Sequence, residues 1–358
     1  MSSRRRLLEV LRTVLAILIA LAIALVAVLA VSKKPGEALG YFLLGPLNSL
    51  RHVGNVIELM IPLTFTGLSV AIMFSAKQFN LGSEGGFFFG AIVATAIAIR
   101  VPLPPVLHPI VAILCGGAAG MIFCGFPGAL KVKWGSSELV SSLMFNYVAL
   151  FLGLWIINYY LRDVNAGAMV SYTFLPTAQI PRLVPGTRVS VGLLVVAAFV
   201  VLCALFMFKT RWGYQVRVTG VNESFAKYSG IRTGVVVVYS QLIGGLIAGV
   251  GGSVETLGMY TRFSWQALPG YGMDGVIVAI LARNNPLYVP VAAFFLAYLR
   301  IGADLMSRYS DVQNELVSII QGVMIILIAA SSFLARYRHR LVYEEATHLE
   351  AQAAGGQK

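Results

Sequence analysis

The chain has 358 residues, 58% of them hydrophobic and only 12% charged. So little charge over so much apolar sequence excludes a water-soluble globule and defines a polytopic membrane protein. The net charge of +12 would suit nucleic acid in a soluble chain, but in a membrane protein basic residues record which loops stay inside the cell.

Arg4, Arg5 and Arg6 precede an apolar run from Val14 to Val31. The run is too long for the apolar core of a signal peptide, and Ala30-Val31-Ser32 followed by Lys33 and Lys34 is a poor cleavage site. It predicts an uncleaved first span with its basic end in the cytoplasm. An outside segment, 32–45, leads to a second span over Val56–Phe74 that carries Pro62, tolerable where neighbours satisfy the freed carbonyl. Residues 77–86, KQFNLGSEGG, are a polar break. Ser83 is placed to cap the next span, Glu84–Ile99, with Glu84 on its first turn. Pro102–Pro105 turn the chain outside, His108–Leu130 returns to Lys131 and Lys133, and Glu138–Tyr160 goes out again. Trp155, Tyr159 and Tyr160 stand like an interfacial belt.

The stretch 161–188, with Pro176, Pro181 and Pro185, reads as the longest outside loop. Val189–Phe208 then brings the chain to a polar island, 209–234, where Lys209, Arg211, Arg217, Lys227 and Arg232 face the single acid Glu223. A connector this basic belongs in the cytoplasm. Inside it, Asn222 as N-cap, Glu223 at the positive dipole end and Gly230 as stop predict a two-turn helix. Val221, Phe225 and Tyr228 fall on one face of it. A rod of about 10 Å neither crosses a bilayer nor holds together alone. It either docks on a cytoplasmic partner or lies on the membrane surface.

Val235–Leu257 leaves through GGLIAGVGGS, a glycine-rich face suited to close helix packing. Gly270 to Gly275 opens an apolar segment that ends by Arg283, too short to span, with Asp274 as its expected N-cap. A polar turn (Arg283–Pro286), a run over Leu287–Leu299 and a last span over Glu315–Leu334 follow. The expected fold is all-α, with about ten transmembrane segments, broken helices and both termini inside. Residues 1–334 form the transmembrane domain and 335–358 a cytoplasmic tail of disordered composition. A long span followed by a glycine-broken polar segment occurs at 56–86 and again at 235–286, from opposite sides, which predicts an inverted repeat.

The chain shows no phosphate loop, HExxH, serine elbow or CxxC, so it is not expected to be an enzyme or to hold a metal. Cys115, Cys124 and Cys203 lie in apolar runs, and the four histidines are scattered in interfacial or tail positions. Polar groups inside apolar runs are more telling, because a bilayer makes them costly unless they face a cavity or each other. Phe79, Asn80, Glu84, Asn146, Glu255 and Asp274 are therefore the candidates to line or brace a translocation path, with Glu138 beside them. Phe79, Phe87, Phe263, Trp265 and Tyr271, near the breaks, suit either stacking on a flat ring or an interfacial belt.

Several stretches resemble one family. Thr210, Gly213, Arg217, Gly220, Asn222, Ala226, Gly230 and Ile231 resemble the coupling loop of ABC importer permeases of the branched-chain amino acid, ribose and nucleoside type. FNLGSEG (79–85) is similar to the FNIGVEG signature of the nucleoside and simple-sugar members that work with a basic membrane lipoprotein. SSELVSSLMFNY (136–147) resembles NEVISTLMLNYIA, GVGGSVETLG (249–258) resembles GLAGAIEVLG, and 269–286 resembles PGYGFDGIAVALLGRNHP. Ser83, Gly86, Ser136 and Asn285 depart from these patterns, Gly86 standing where the family has Gln. The resemblance implies the transmembrane subunit of an ATP-driven importer of a nucleoside or simple sugar, in the bacterial inner membrane. It implies that Arg217, Gly220, Asn222, Glu223, Ala226 and Gly230 couple to a separate ATPase subunit, which would hold the ATP and Mg, this chain having no cofactor of its own. A second, different permease chain and an extracytoplasmic substrate-binding lipoprotein complete the expected assembly. The alternative from another class is a secondary transporter of a small polar solute driven by an ion gradient, which the embedded acids alone would suit.

Overall fold

The computed structural model describes residues 34–312 and 322. The expected spans over Val14–Val31 and Glu315–Leu334 and the tail 335–358 lie outside the described residues. The chain divides into two compact units, 1–45 with 302–358, and 46–301. In the first unit, α1 (Pro35–Leu43) occupies what the sequence suggested was only a connector. Pro35 sits at the start of the helix and Glu37 on its first turn, the start signals that make it helical. Tyr41 stacks on Tyr309 at 5.6 Å within the same unit.

The second unit holds α2 (Leu50–Ser75), α3 (Ser83–Arg100), α4 (Leu107–Trp134) and α5 (Glu138–Ile156, continued by a π turn to Leu161). It continues with α6 (Gly192–Lys209), the short helices α7 (Arg211–Val221) and α8 (Glu223–Tyr228), α9 (Thr233–Met259), α10 (Tyr271–Leu281) and the start of α11 (Val289–Tyr309). Among the described residues seven helices are long and apolar enough to cross a membrane: α2 to α6, α9 and α11. They cover the six spans expected between residues 56 and 257 and the run expected over Leu287–Leu299, the largest shift of a start being from Val56 to Leu50. The last runs ten residues further than Leu299 because Arg300, Asp304 and Arg308 are carried on the helix, the latter two as an i, i+4 ion pair at 2.9 Å. At eleven residues, α10 extends about 16 Å, half the depth of a bilayer core.

Glycine organises the packing. The long helix α9 is packed against α2, α3 and α4. A side-chain carbon on Gly90 of α3 would lie 2.5 Å from the Cα of Gly249, and one on Gly120 of α4 would lie 2.7 Å from the same atom. One on Gly252 would run into the Phe87 carbonyl. Three backbones therefore meet with nothing between them, which small residues alone permit. Ser253 closes the seam by donating to the Gly249 carbonyl at 2.7 Å and the Gly90 carbonyl at 3.3 Å.

The loop 161–188 is ordered by pairing rather than by span. Ser171 and Phe174 donate backbone N–H groups to the carbonyls of Phe263 and Thr261, and Leu175 donates to Ala98. His108, which the sequence suggested was interfacial, is buried and links Thr177 at 2.8 Å to the Ile97 carbonyl at 3.2 Å.

Candidate translocation path and coupling loop

The polar break between α2 and α3 is built from its own amides. Asn80 is fully buried. Its Nδ2 donates to the Cys124 carbonyl at 3.0 Å and to Gln241 Oε1 at 2.6 Å, and its Oδ1 accepts from the Gly82 N–H at 2.6 Å. From α5, Asn146 accepts from the Gly85 N–H at 2.9 Å and donates to the Leu81 carbonyl at 3.0 Å. Two side-chain amides thus replace the helical hydrogen bonds lost where the span is interrupted, as irregular backbone at membrane depth requires. On one flank Lys131 bridges Gln78 Oε1 at 2.7 Å and the Glu138 carboxylate at 2.8 Å.

Two caps differ from the sequence expectation. Ser83 does not cap α3: the N-cap is Gly82, and the buried Ser83 hydroxyl has no partner. Asp274 does not cap α10 either. The cap comes from the other break, where the Glu84 carboxylate accepts from the backbone N–H groups of Gly270 at 2.6 Å, Gly272, and Met273 at 3.3 Å. A carboxylate on orphan N–H groups at the positive end of a helix is the favourable arrangement, and here it ties the two breaks of the chain together. Asp274, one turn into α10, instead pairs with Arg300 at 2.5 Å. Periodicity could not reveal either partnership, since each joins residues far apart in sequence.

The aromatic residues divide. Phe79 turns out to a half-exposed position against Phe74. Trp265 lies at the centre of a cluster, stacked on Phe87 at 6.0 Å and Phe88 at 6.3 Å, edge-on to Phe263 at 5.4 Å and Tyr260 at 5.7 Å. Tyr271 joins through Phe87 at 5.4 Å. Phe87, Phe88 and Phe263 are fully buried, while Trp265 is partly open. Glu255 of α9 is buried without a hydrogen-bond partner among the described residues, within electrostatic reach of Glu58 on α2 and of Tyr271. Phe88, Tyr260 and Glu58 escaped the sequence reading. Glu58 had a signal, being the one acid in the 26-residue apolar helix α2. At Gly86, where the family pattern has Gln, a side chain would head for α4, its first carbon 2.8 Å from Cys124 Sγ.

The island at 209–234 folds as two helices rather than one. Thr210 caps α7, accepting from the Gly213 N–H at 3.0 Å, and Asn222 caps α8, accepting from the Phe225 N–H at 3.0 Å. At the other end Gly230, at φ +79°, donates to the Lys227 carbonyl while Ile231 donates to Ala226, the paired bonds of a Schellman stop. Glu223 pairs with Lys227 at 2.8 Å, and that hydrogen bond holds its carboxyl below the usual carboxylate range. The pair is exposed on both sides and stabilises the helix by a few tenths of a kcal/mol at most.

The faces of α8 are sorted sharply. Ala226 is fully buried, whereas Phe225 and Tyr228 are 59% and 94% exposed, as is Val221 at the end of α7, at 83%. Gly220 faces inward too, where any side chain would strike the Ser75 carbonyl at the foot of α2. Tyr239 of α9 donates to the Trp212 carbonyl at 2.9 Å. Gly220 and Ala226 thus seat the island on the spans, while Tyr228 points away from them and Phe225 is more than half exposed. Arg217 lies over the Phe208 ring at 5.5 Å.

Interrupted apolar spans braced by buried amides and carboxylates, with a compact polar foot, define a polytopic helical membrane permease. The chain belongs to the family described as Branched-chain amino acid transport system / permease component, whose model matches residues 53–329. It is the transmembrane subunit of an ABC importer. The Glucose ABC transporter permease protein TsgB13 of Haloferax volcanii is 32% identical over 96% of this chain and 93% of its own length. The Guanosine ABC transporter permease protein NupP of Bacillus subtilis is 30% identical over 93% of this chain and 96% of its own. The Nucleoside ABC transporter permease protein NupB of Lactococcus lactis is 27% identical over 90% and 91%.

Proposed function

We propose that this permease moves a nucleoside or a simple sugar inward across the bacterial inner membrane, delivered by an extracytoplasmic binding lipoprotein. An ATPase subunit, which holds the ATP and Mg, docks on residues 209–234 at the cytoplasmic face, and both termini lie on that side. Residues 1–334 make the transmembrane domain and 335–358 a cytoplasmic tail. The observation that carries the reading is the outward apolar face of α8, on an island whose small residues, Gly220 of α7 and Ala226 of α8, are seated against the spans. An exposed Phe225 and Tyr228 on a rod seated under α2 is the shape that transmits a push. The substrate class is supported by the substrates in the relatives' names and by the aromatic cluster around Trp265, whose faces suit a base or a sugar ring.

The pairing of helices supports an inverted repeat. Each long helix with the break after it (α2 with α3, α9 with α10) forms one half, and the halves pack crosswise, α9 on α3 and α10 on α2. Large apolar faces on α4, α5 and α6 are open, which leaves room for a second, different permease chain and for lipid. With the first and last spans and α10 added, the segments would number about ten.

The test is uptake into proteoliposomes holding the permease pair and its ATPase, with the binding lipoprotein outside. Nucleoside or glucose uptake is expected to require ATP at the ATPase side and to be unaffected by an uncoupler. Uptake without ATP that collapses with the uncoupler would establish the ion-gradient transporter instead.

A further inference from the structure

A groove of about 590 Å³ opens at the foot of α6, lined by Phe208, Lys209, Arg211, Tyr214, Arg217 and Phe225 among others. Three cations converge there without an acid. Lys209 and Arg211 are exposed, and no carboxylate pairs with any of the three among the described residues. Arg217 goes further: its guanidinium lies over the Phe208 ring, and its Nε is buried with no hydrogen-bond partner. A buried donor left unsatisfied is costly and marks a place where an acceptor belongs.

The surroundings indicate the source of that acceptor. The helix α6 is almost wholly apolar and little of it is buried, so most of its sides meet acyl chains. Lys209 is its last residue, and α7 begins two residues on with Trp212 and Tyr214, both about half exposed. Exposed Trp and Tyr at the end of an apolar span lie at headgroup depth, and basic side chains there meet the anionic inner leaflet.

We propose that this groove binds the phosphate of an anionic phospholipid, with Lys209, Arg211 and Arg217 around the headgroup and the acyl chains along α6. The groove borders the outward face of α8 through Phe225, whereas Val221 and Tyr228 lie outside its lining, and it requires only that 209–217 lie at the membrane surface, not that an ATPase dock nearby.

The experiment is native mass spectrometry of the full chain in detergent, titrated with phosphatidylglycerol, phosphatidylcholine or inorganic phosphate. The wild type is expected to bind one phosphatidylglycerol at least tenfold more tightly than phosphatidylcholine. K209Q, R211Q and R217Q should each weaken it about fivefold, the usual contribution of one basic residue near a lipid surface. R217K, which keeps the charge, should lose less than R217Q, and K133Q, on a basic residue outside the groove, should change nothing. Phosphatidylglycerol binding that is unchanged in the triple glutamine variant would overturn the site. Displacement of the lipid by millimolar phosphate would overturn the lipid as its ligand and leave a free anion. If the triple variant does not stay folded, the single variants decide: wild-type binding in all three refutes the proposal.

Discussion

Replacing Phe225 and Tyr228 together by aspartate (F225D/Y228D) is expected to abolish uptake while the permease remains inserted and monodisperse. Tyr228 is almost completely exposed and Phe225 more than half, so the protein loses little packing when they go. The helix beneath them is held by the Asn222 cap, the Schellman stop at Gly230 and the buried Ala226, none of which the substitutions touch. Exposed positions of this kind change stability by about 0.5 kcal/mol or less. In a docked interface the same two aromatics are candidate anchors, each contributing about 2 kcal/mol or more, and two carboxylates would add a desolvation cost. The ATPase should therefore bind at least a hundredfold more weakly. Co-purification of the ATPase with the permease measures this, alongside uptake. A double variant that retains half of wild-type uptake would remove α8 from the coupling role.

The second large effect is structural and should look different. G249L is expected to leave no monodisperse permease. A side chain on Gly249 meets the Gly116 carbonyl and lies 3.0 Å from the Gly120 Cα, and these are backbone atoms that cannot rotate away. Overpacking in a core costs about 1–3 kcal/mol where side chains can adjust; here only a separation of α4 from α9 makes room, so the upper end is the expected minimum. G40A, on α1 with nothing within 4 Å of the new carbon, is the control and should behave as wild type. Gel filtration in detergent and the thermal midpoint separate the two. Gly220 belongs with Gly249 rather than with Tyr228: a bulky residue there would unseat α7 from Ser75, so its failure would not isolate docking.

Local signals in the sequence were sufficient for most of the architecture. Apolar runs locate the full spans among the described residues, Asn222 and Gly230 bound α8, and GGLIAGVGGS marks the helix face that forms the glycine seam. Tertiary relations were not legible. Ser83 and Asp274 had the chemistry of caps, yet the N–H groups of α10 went to Glu84, a residue that lies 186 positions before Gly270. The sorting of the coupling loop was hidden for a similar reason. Arg217, Gly220, Asn222, Glu223, Ala226 and Gly230 stood out by pattern, but whether a small residue faces a partner or the foot of α2 depends on where Ser75 lies. α7 escaped because its Gly213 and Gly220 lowered its helical propensity, while Thr210 supplied the cap and the end of α2 the seat.

The central claim is that the island at 209–234 lies in the cytoplasm, where an ATPase can reach it. Y228C in a C115A background gives the direct measurement, because the two remaining cysteines, Cys124 and Cys203, are buried. A membrane-impermeant maleimide should fail to label this variant in intact cells and label it fully in inverted membrane vesicles. Labelling in intact cells at the rate of an exterior site would contradict the account.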